Sequence, residues 1–188
     1  MAKAYILLAD GFEEVEALAT ADVLIRSGVE TVLTGIDPAV QTVTGSHGIG
    51  VVTDRVFASS DSYDAGGFGD ADAVILPGGK KGTENLKKSQ AVAGMVKAYY
   101  EAGRYVCAIC AAPTVLAACG ILDGLEATCF PGFENDLADA IYVDAPVIVT
   151  GNVITGRSMG TAIDFGLKVA EKLAGKDVAE KTAHSLHR

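Results

Sequence analysis

The sequence predicts an α/β protein, a mostly parallel sheet wrapped by helices, and three observations carry that expectation. Short apolar runs of strand length alternate with segments whose apolar residues recur near the helical period. Glycines at 28, 103, 120 and 175 follow the helical segments directly, where a chain must turn back toward its sheet. The 188 residues, 49% of them hydrophobic, are enough for one well-filled core and short for two. A single domain over residues 1–188 is therefore expected.

The first strand is read over residues 4–9, Ala-Tyr-Ile-Leu-Leu-Ala. A helix follows over 14–27, with Val15, Leu18, Ala19, Val23 and Leu24 near the 3.6-residue period and Gly28 as its stop. Residues 30–36 form the second strand. Residues 40–56, with Gly45, Gly48 and Gly50, read as a β-hairpin excursion, and residues 61–72 as a polar connection. The third strand covers 73–76 and ends in Leu76-Pro-Gly-Gly79. A helix is expected over 92–102, the fourth strand over 105–109, a short helix over 114–119 with Pro113 in its first turn, a fifth strand over 146–150, and a last helix over 162–174.

Composition narrows the function. A net charge of -9 and a pI near 4.7 disfavour nucleic acid or anionic membrane as the main partner, because both need basic surface. No apolar stretch approaches the ~20 residues of a membrane span. The start, Met1-Ala-Lys-Ala-Tyr-Ile-Leu-Leu-Ala, runs straight into a strand and has no signal-peptide pattern, so a cytoplasmic protein with reduced thiols is expected. No metal site is expected, since Cys119 and Cys129 do not repeat the Cys107-x-x-Cys110 spacing and His47, His184 and His187 stand apart from them. Gly78-Gly-Lys-Lys-Gly-Thr83 lacks the spacing of a phosphate loop, and no cofactor is expected.

In open α/β sheets chemistry sits beyond the carboxyl ends of the strands, which singles out three loops. The fourth strand ends in Tyr105-Val-Cys-Ala-Ile-Cys110-Ala-Ala-Pro113, a strand-to-helix junction. A thiol there meets the unpaired N–H groups that open a helix, and the expectation is a reactive Cys110 with a pKa well below the ordinary ~8.5. Cys107, three residues earlier, is expected on the opposite face, about 10 Å away at strand rise and beyond the ~7 Å Cα limit of a disulfide. The first strand leads into Asp10-Gly-Phe-Glu-Glu-Val-Glu16. Glu13 and Glu14 are read as acidic residues favouring the helix dipole at the surface. Glu16 falls on the helix stripe of Phe12 and Ala19, where burial would raise its pKa and make it a proton donor. The third loop, Pro77-Gly78-Gly79, lets backbone N–H groups approach a reacting atom.

Asp10-Gly-Phe-Glu-Glu-Val-Glu16-Ala, Leu76-Pro-Gly-Gly79, Ala108-Ile-Cys110-Ala-Ala-Pro113 and Gly160-Thr-Ala-Ile-Asp-Phe-Gly-Leu167, in that order, resemble the blocks of the DJ-1/PfpI (ThiJ) superfamily, closest to its DJ-1 and bacterial YajL branch. The resemblance implies a flavodoxin-like three-layer sandwich with a nucleophile elbow, assembled as a homodimer. It implies Cys110 as nucleophile and oxidation sensor, Glu16 as the protonated partner of its sulfur, and the N–H groups of Gly79 and Ala111 as donors to the reacting oxygen. Gly78, Arg26 and His47 fall at pocket positions, with His47 standing where the branch carries a second arginine. Phe130 stands where the branch often has a histidine, and Ala111 where the peptidase-like branch has one, so neither familiar Cys-His dyad is present. The implied activity is a cysteine-dependent glyoxalase or deglycase acting on small reactive carbonyls or glycated proteins. A redox sensor or holding chaperone is the alternative, and a cysteine amidase or peptidase follows behind it.

Overall fold

The computed structural model describes residues 1–188. In chain order it contains β1 (Lys3–Leu8), α1 (Glu14–Arg26), β2 (Glu30–Gly35), β3 (Thr42–Thr44), β4 (Gly50–Val52), β5 (Arg55–Val56), α2 (Ala65–Phe68), β6 (Ala73–Leu76), α3 (Lys80–Lys88), α4 (Gln90–Glu101), β7 (Tyr105–Ile109), α5 (Pro113–Ala118), β8 (Glu126–Ala127), β9 (Ile141–Tyr142), β10 (Val147–Thr150), β11 (Val153–Gly156), α6 (Ala162–Ala174) and α7 (Lys176–Ser185). The main sheet has seven strands in the order β10-β11-β7-β6-β1-β2-β5. All pairings are parallel except that of β10 with β11.

Strand alternation sorts the core into two faces. Tyr5, Leu7, Val74, Leu76, Val106 and Ala108 point to one side and pack against α4 and α5 through Val92, Met95, Val96, Val115 and Leu116. Their neighbours Ala4, Ile6, Leu8, Ile75, Cys107 and Ile109 point to the other and meet Ala17, Ala21 and Leu24 of α1 with Phe165 and Val169 of α6. Central strands buried on both faces read as continuous apolar runs, which is why the period-2 signal is absent from the sequence. The result is the three-layer, flavodoxin-like α/β sandwich the sequence implies.

Several elements depart from the sequence reading: α7 (Lys176–Ser185) follows the helix expected to be the last, and Val15 and Leu18, read in the apolar stripe of the first helix, are exposed while Ala17, Ala21 and Leu24 face the core. The fifth expected strand exists, but it is the antiparallel edge strand; the strand beside β7 is β11, every residue of which is buried. The two-residue Gly151-Asn152 turn between apolar runs is a hairpin signal that would have revealed β11. Helix α3 also went unread, because Lys80–Lys88 contains Gly82 and only Leu86 as an apolar anchor. Gly82 is buried against Phe12, and a Cβ there would stand 2.7 Å from the Phe12 backbone. Helix α2 interrupts the stretch expected to be a simple polar connection, and β3 and β4 form the expected hairpin.

Candidate functional site

Cys110 occupies the first residue after β7 and has φ +65°, a left-handed conformation that a residue with a Cβ adopts only at a cost. Its N–H donates to the Gly156 carbonyl at 2.9 Å, and its own carbonyl accepts from the Phe130 N–H at 2.8 Å, so β11 and the segment after β8 hold the strained turn in place. Pro113 opens α5 at its first position, where the missing N–H is no loss. The elbow places the sulfur at the carboxyl end of the sheet, half-buried.

Glu16 comes to the same point from α1. Its side chain is on the sheet-facing side of the helix and the residue is 1% exposed. Oε2 accepts the Gly78 N–H at 2.8 Å, while Oε1 is buried without a conventional hydrogen-bond partner. The Cys110 side chain and the Met159 backbone are the other polar groups acting on the carboxyl. Burial is the main cause that pushes its pKa up to about 7, as the helix stripe predicts.

Gly78 is the hinge of this contact. A Cβ there would lie 2.7 Å from Cys110 Cβ and 2.7 Å from Glu16 Oε2, so only glycine lets thiol and carboxyl share the space. Gly79 has φ +86°, and its own Cβ would meet the Gly11 carbonyl oxygen at 2.4 Å. The loop is fixed through its backbone: the Gly78 carbonyl accepts from the Glu13 N–H at 3.0 Å. The backbone N–H groups of Gly79 and Ala111 are the groups around the Cys110 sulfur that favour its thiolate. Cys110 and Ala111 of the elbow, Gly78 and Gly79 of the loop after β6, and Glu16 of α1 therefore meet at one place.

The expected low thiol pKa is corrected. Burial first, and then the negative charge of Glu16, push Cys110 up to about 12, and the two backbone donors do not outweigh them. A helix N-terminus would favour the thiolate in isolation, but here a carboxylate stands beside it. Thiol and carboxyl titrate as one unit, so a charge on one holds the proton on the other. The face assignment of Cys107 is corrected as well: it packs in the same apolar cluster that Cys110 borders, because the left-handed turn at Cys110 breaks the strand alternation. All four cysteines are free thiols.

Arg26 lies elsewhere. It is in the last turn of α1, ten residues or ~15 Å of helix rise from Glu16, exposed and paired with Asp22 at 2.6 Å. Within one chain it does not reach the site. His47 caps the hairpin between β3 and β4, and the residue it touches corrects another expectation: Glu14 is 4% exposed rather than a surface residue. Its carboxylate accepts from the His47 N–H at 2.7 Å and from Ser46 Oγ at 3.0 Å, and lies 2.9 Å from His47 Nδ1. Burial alone would raise the Glu14 pKa; the bonds from His47 and Ser46 outweigh it and bring it down to about 2. Glu14 in turn raises the pKa of His47. The donor atoms of Glu13, Glu14 and His47 lie within 4.8 Å of one another, the one grouping with the composition of a metal ligand set, and the bonds that His47 and Ser46 make to the two carboxylates account for it. A separate cleft of about 440 Å³, lined by Leu8, Asp10, Ile36, Asp37 and Lys88, opens beyond β1 and β2, and none of the predicted site residues lines it.

Fold and site together define a class: a flavodoxin-like α/β protein with a cysteine in a strained strand-to-helix elbow set against a buried carboxyl. The chain matches the family model described as DJ-1/PfpI family over residues 2–172, and it belongs to that family. Drosophila melanogaster Protein dj-1beta is 36% identical over 187 residues, covering 97% of this chain and 95% of that protein. The crystal structure of Drosophila DJ-1beta superposes with a TM-score of 0.90 at 35% identity, covering 98% of this chain and 97% of the other. A Caenorhabditis elegans relative named Glutathione-independent glyoxalase DJR-1.2 is 31% identical over 167 residues, covering 88% of this chain and 84% of that protein.

Proposed function

We propose that this protein is a cysteine-dependent, cofactor-independent glyoxalase or deglycase acting on small reactive carbonyls such as methylglyoxal, or on their adducts with proteins. The observation that carries the reading is the buried Glu16 carboxyl, titrating near neutrality, against the Cys110 thiol. A general acid-base group performs best when its pKa lies near the working pH. The relative named as a glutathione-independent glyoxalase supports the same chemistry.

The steps balance without an external oxidant. Glu16 as carboxylate takes the thiol proton as sulfur adds to the aldehyde carbon, giving a hemithioacetal whose oxygen receives that proton. The carboxylate then moves the aldehyde C–H proton to the neighbouring carbonyl carbon through an enediol, leaving a thioester. Water cleaves it to the 2-hydroxy acid and frees the thiol. Methylglyoxal plus water becomes lactate, one carbon oxidised and its neighbour reduced. The N–H groups of Gly79 and Ala111, which favour negative charge at the sulfur, are the donors for the charge that develops beside it.

Purified protein and its Cys110→Ser variant, assayed against methylglyoxal, glyoxal and a casein substrate, test the reading. Lactate formation that disappears in the variant is expected; equal rates in the two proteins remove Cys110 from the chemistry. A second reading, oxidation sensing at Cys110, is favoured by the same carboxyl, which in its protonated form donates to a sulfinate. Slow dicarbonyl turnover with ready formation of a stable sulfinate selects it.

We also propose a homodimer. On α1 the face opposite the core exposes Val15, Leu18 and Ile25, an apolar stripe at helical spacing that another copy of the chain would cover. No helix is long and apolar enough to cross a membrane.

A further inference from the structure

We infer that Phe130 and Phe133 form an apolar wall beside Cys110 that selects carbonyl compounds carrying an aryl or similarly bulky apolar group next to the reacting carbon. The inference rests on the proposed carbonyl chemistry and specifies its substrate class.

Of the twelve Phe and Tyr residues, Phe130 alone is exposed, at 43%, and it hangs from the nucleophile itself. Its N–H donates to the Cys110 carbonyl at 2.8 Å, so the two backbones run side by side at about the 5 Å spacing of paired strands. The preceding Cys129 is wholly buried in the core on the α4 and α5 side of the sheet, whereas Cys110 borders the core on the other side. Phe130 is thus the exposed residue that follows a core anchor on one face and is bonded through its backbone to the residue that carries the sulfur.

The ring is held. It meets Phe133 edge to face, with centroids 6.4 Å apart and planes at 73°. Phe133 is partly buried against the core, and its N–H donates to the Phe130 carbonyl at 3.1 Å. The turn between them is fixed by the Gly132 N–H donating to the Glu134 carboxylate at 2.8 Å. An exposed ring with a rigid backing offers an aryl group a ready edge-to-face or stacked partner and offers a methyl group little. A substrate of the selected class, phenylglyoxal, takes up water to give mandelate, with the aldehyde carbon oxidised and the ketone carbon reduced.

Two measurements on the full-length protein test the wall. The first compares kcat/KM for phenylglyoxal and methylglyoxal in the wild type, Phe130→Ala and Phe130→Tyr. The second compares alkylation rates of Cys110 by phenacyl chloride and chloroacetone in the same proteins; here sulfur displaces chloride to form a thioether and no turnover is needed. In both, Phe130→Ala is expected to lower the aryl-to-methyl ratio about tenfold, the size of one aromatic pair, and Phe130→Tyr to retain it. If dicarbonyls are turned over but neither ratio moves, the wall is wrong and the carbonyl chemistry stands. If no dicarbonyl is turned over but the alkylation ratio falls, the wall stands and the glyoxalase reading fails. An alkylation ratio unchanged in Phe130→Ala overturns the inference in every case.

Discussion

Glu16 links the chemistry of the site to its energetics. Its folded pKa of about 7 stands above the ordinary 4.5, so between these values the folded protein keeps a proton that the unfolded chain has lost. Stability at this residue is therefore greatest below pH 4.5 and is lost as pH rises to 7, by up to about 3 kcal/mol for a shift of this size. Glu16→Gln removes the titration. Its melting temperature, measured across pH 4 to 9, is expected to gain on the wild type toward alkaline pH, while dicarbonyl turnover falls by roughly the 10²–10⁴-fold typical of acid-base groups. A wild-type pH-rate step near 7 that persists in Glu16→Gln would assign the proton transfer to another group. Much of this was legible in the residues themselves: Cys110, Glu16, Gly78, Gly79 and Ala111 converge as the loops predict. The thiol pKa was not, because what raises it is burial by the folded chain and then the charge of a carboxyl ninety-four positions away in the chain. Local sequence around Cys110 shows only the helix that would lower it.

At the scale of elements, the hairpin of β3 and β4 is attached to the start of α1 through Glu14, and sequence proximity hides this too. Acidic residues in a first helical turn look like dipole partners, and only the hairpin folding over them makes Glu14 a buried acceptor. Glu14→Gln is expected to lower the melting temperature and to speed amide exchange in residues 45–49, with Glu13→Gln as the milder control. Equal exchange in the two variants would mean that the bonds from Ser46 N–H to the Phe12 carbonyl, Gly11 N–H to the Thr44 carbonyl and Thr44 N–H to the Asp10 carboxylate hold the hairpin without Glu14. The attachment depends on pH at both ends. Glu14, with its pKa near 2, contributes above 4.5 and is lost in strong acid; His47, with its pKa raised, contributes as the cation at low pH and is lost as pH rises through its folded value. The strands were readable where each is a bounded apolar run, as at Ala73–Leu76 and Tyr105–Ile109. Lys80–Lys88 was not, since a helix anchored by one leucine and a close-packed glycine draws its stability from Phe12 and the sheet rather than from its own pattern.

The whole molecule carries a net charge of -9, yet leaves the Val15, Leu18 and Ile25 stripe open on α1, close in the chain to Glu14 and Glu16. A dimer of 19.3 kDa chains is expected in sedimentation, and Leu18→Glu, which places a charge in the middle of the stripe, should give monomers that keep the far-ultraviolet circular dichroism of the wild type. Dimers persisting in Leu18→Glu would move the interface elsewhere. The left-handed Cys110 bears on the entire fold in a different way. Where φ is negative, alanine is the safer replacement and glycine the loosening one; at φ +65° the order reverses, because glycine alone is at ease there. Cys110→Gly is expected to melt no lower than Cys110→Ala. The elbow backbone thus favours a residue with no side chain to offer, and the cysteine holds its place there only against a conformational cost that the rest of the fold has to carry.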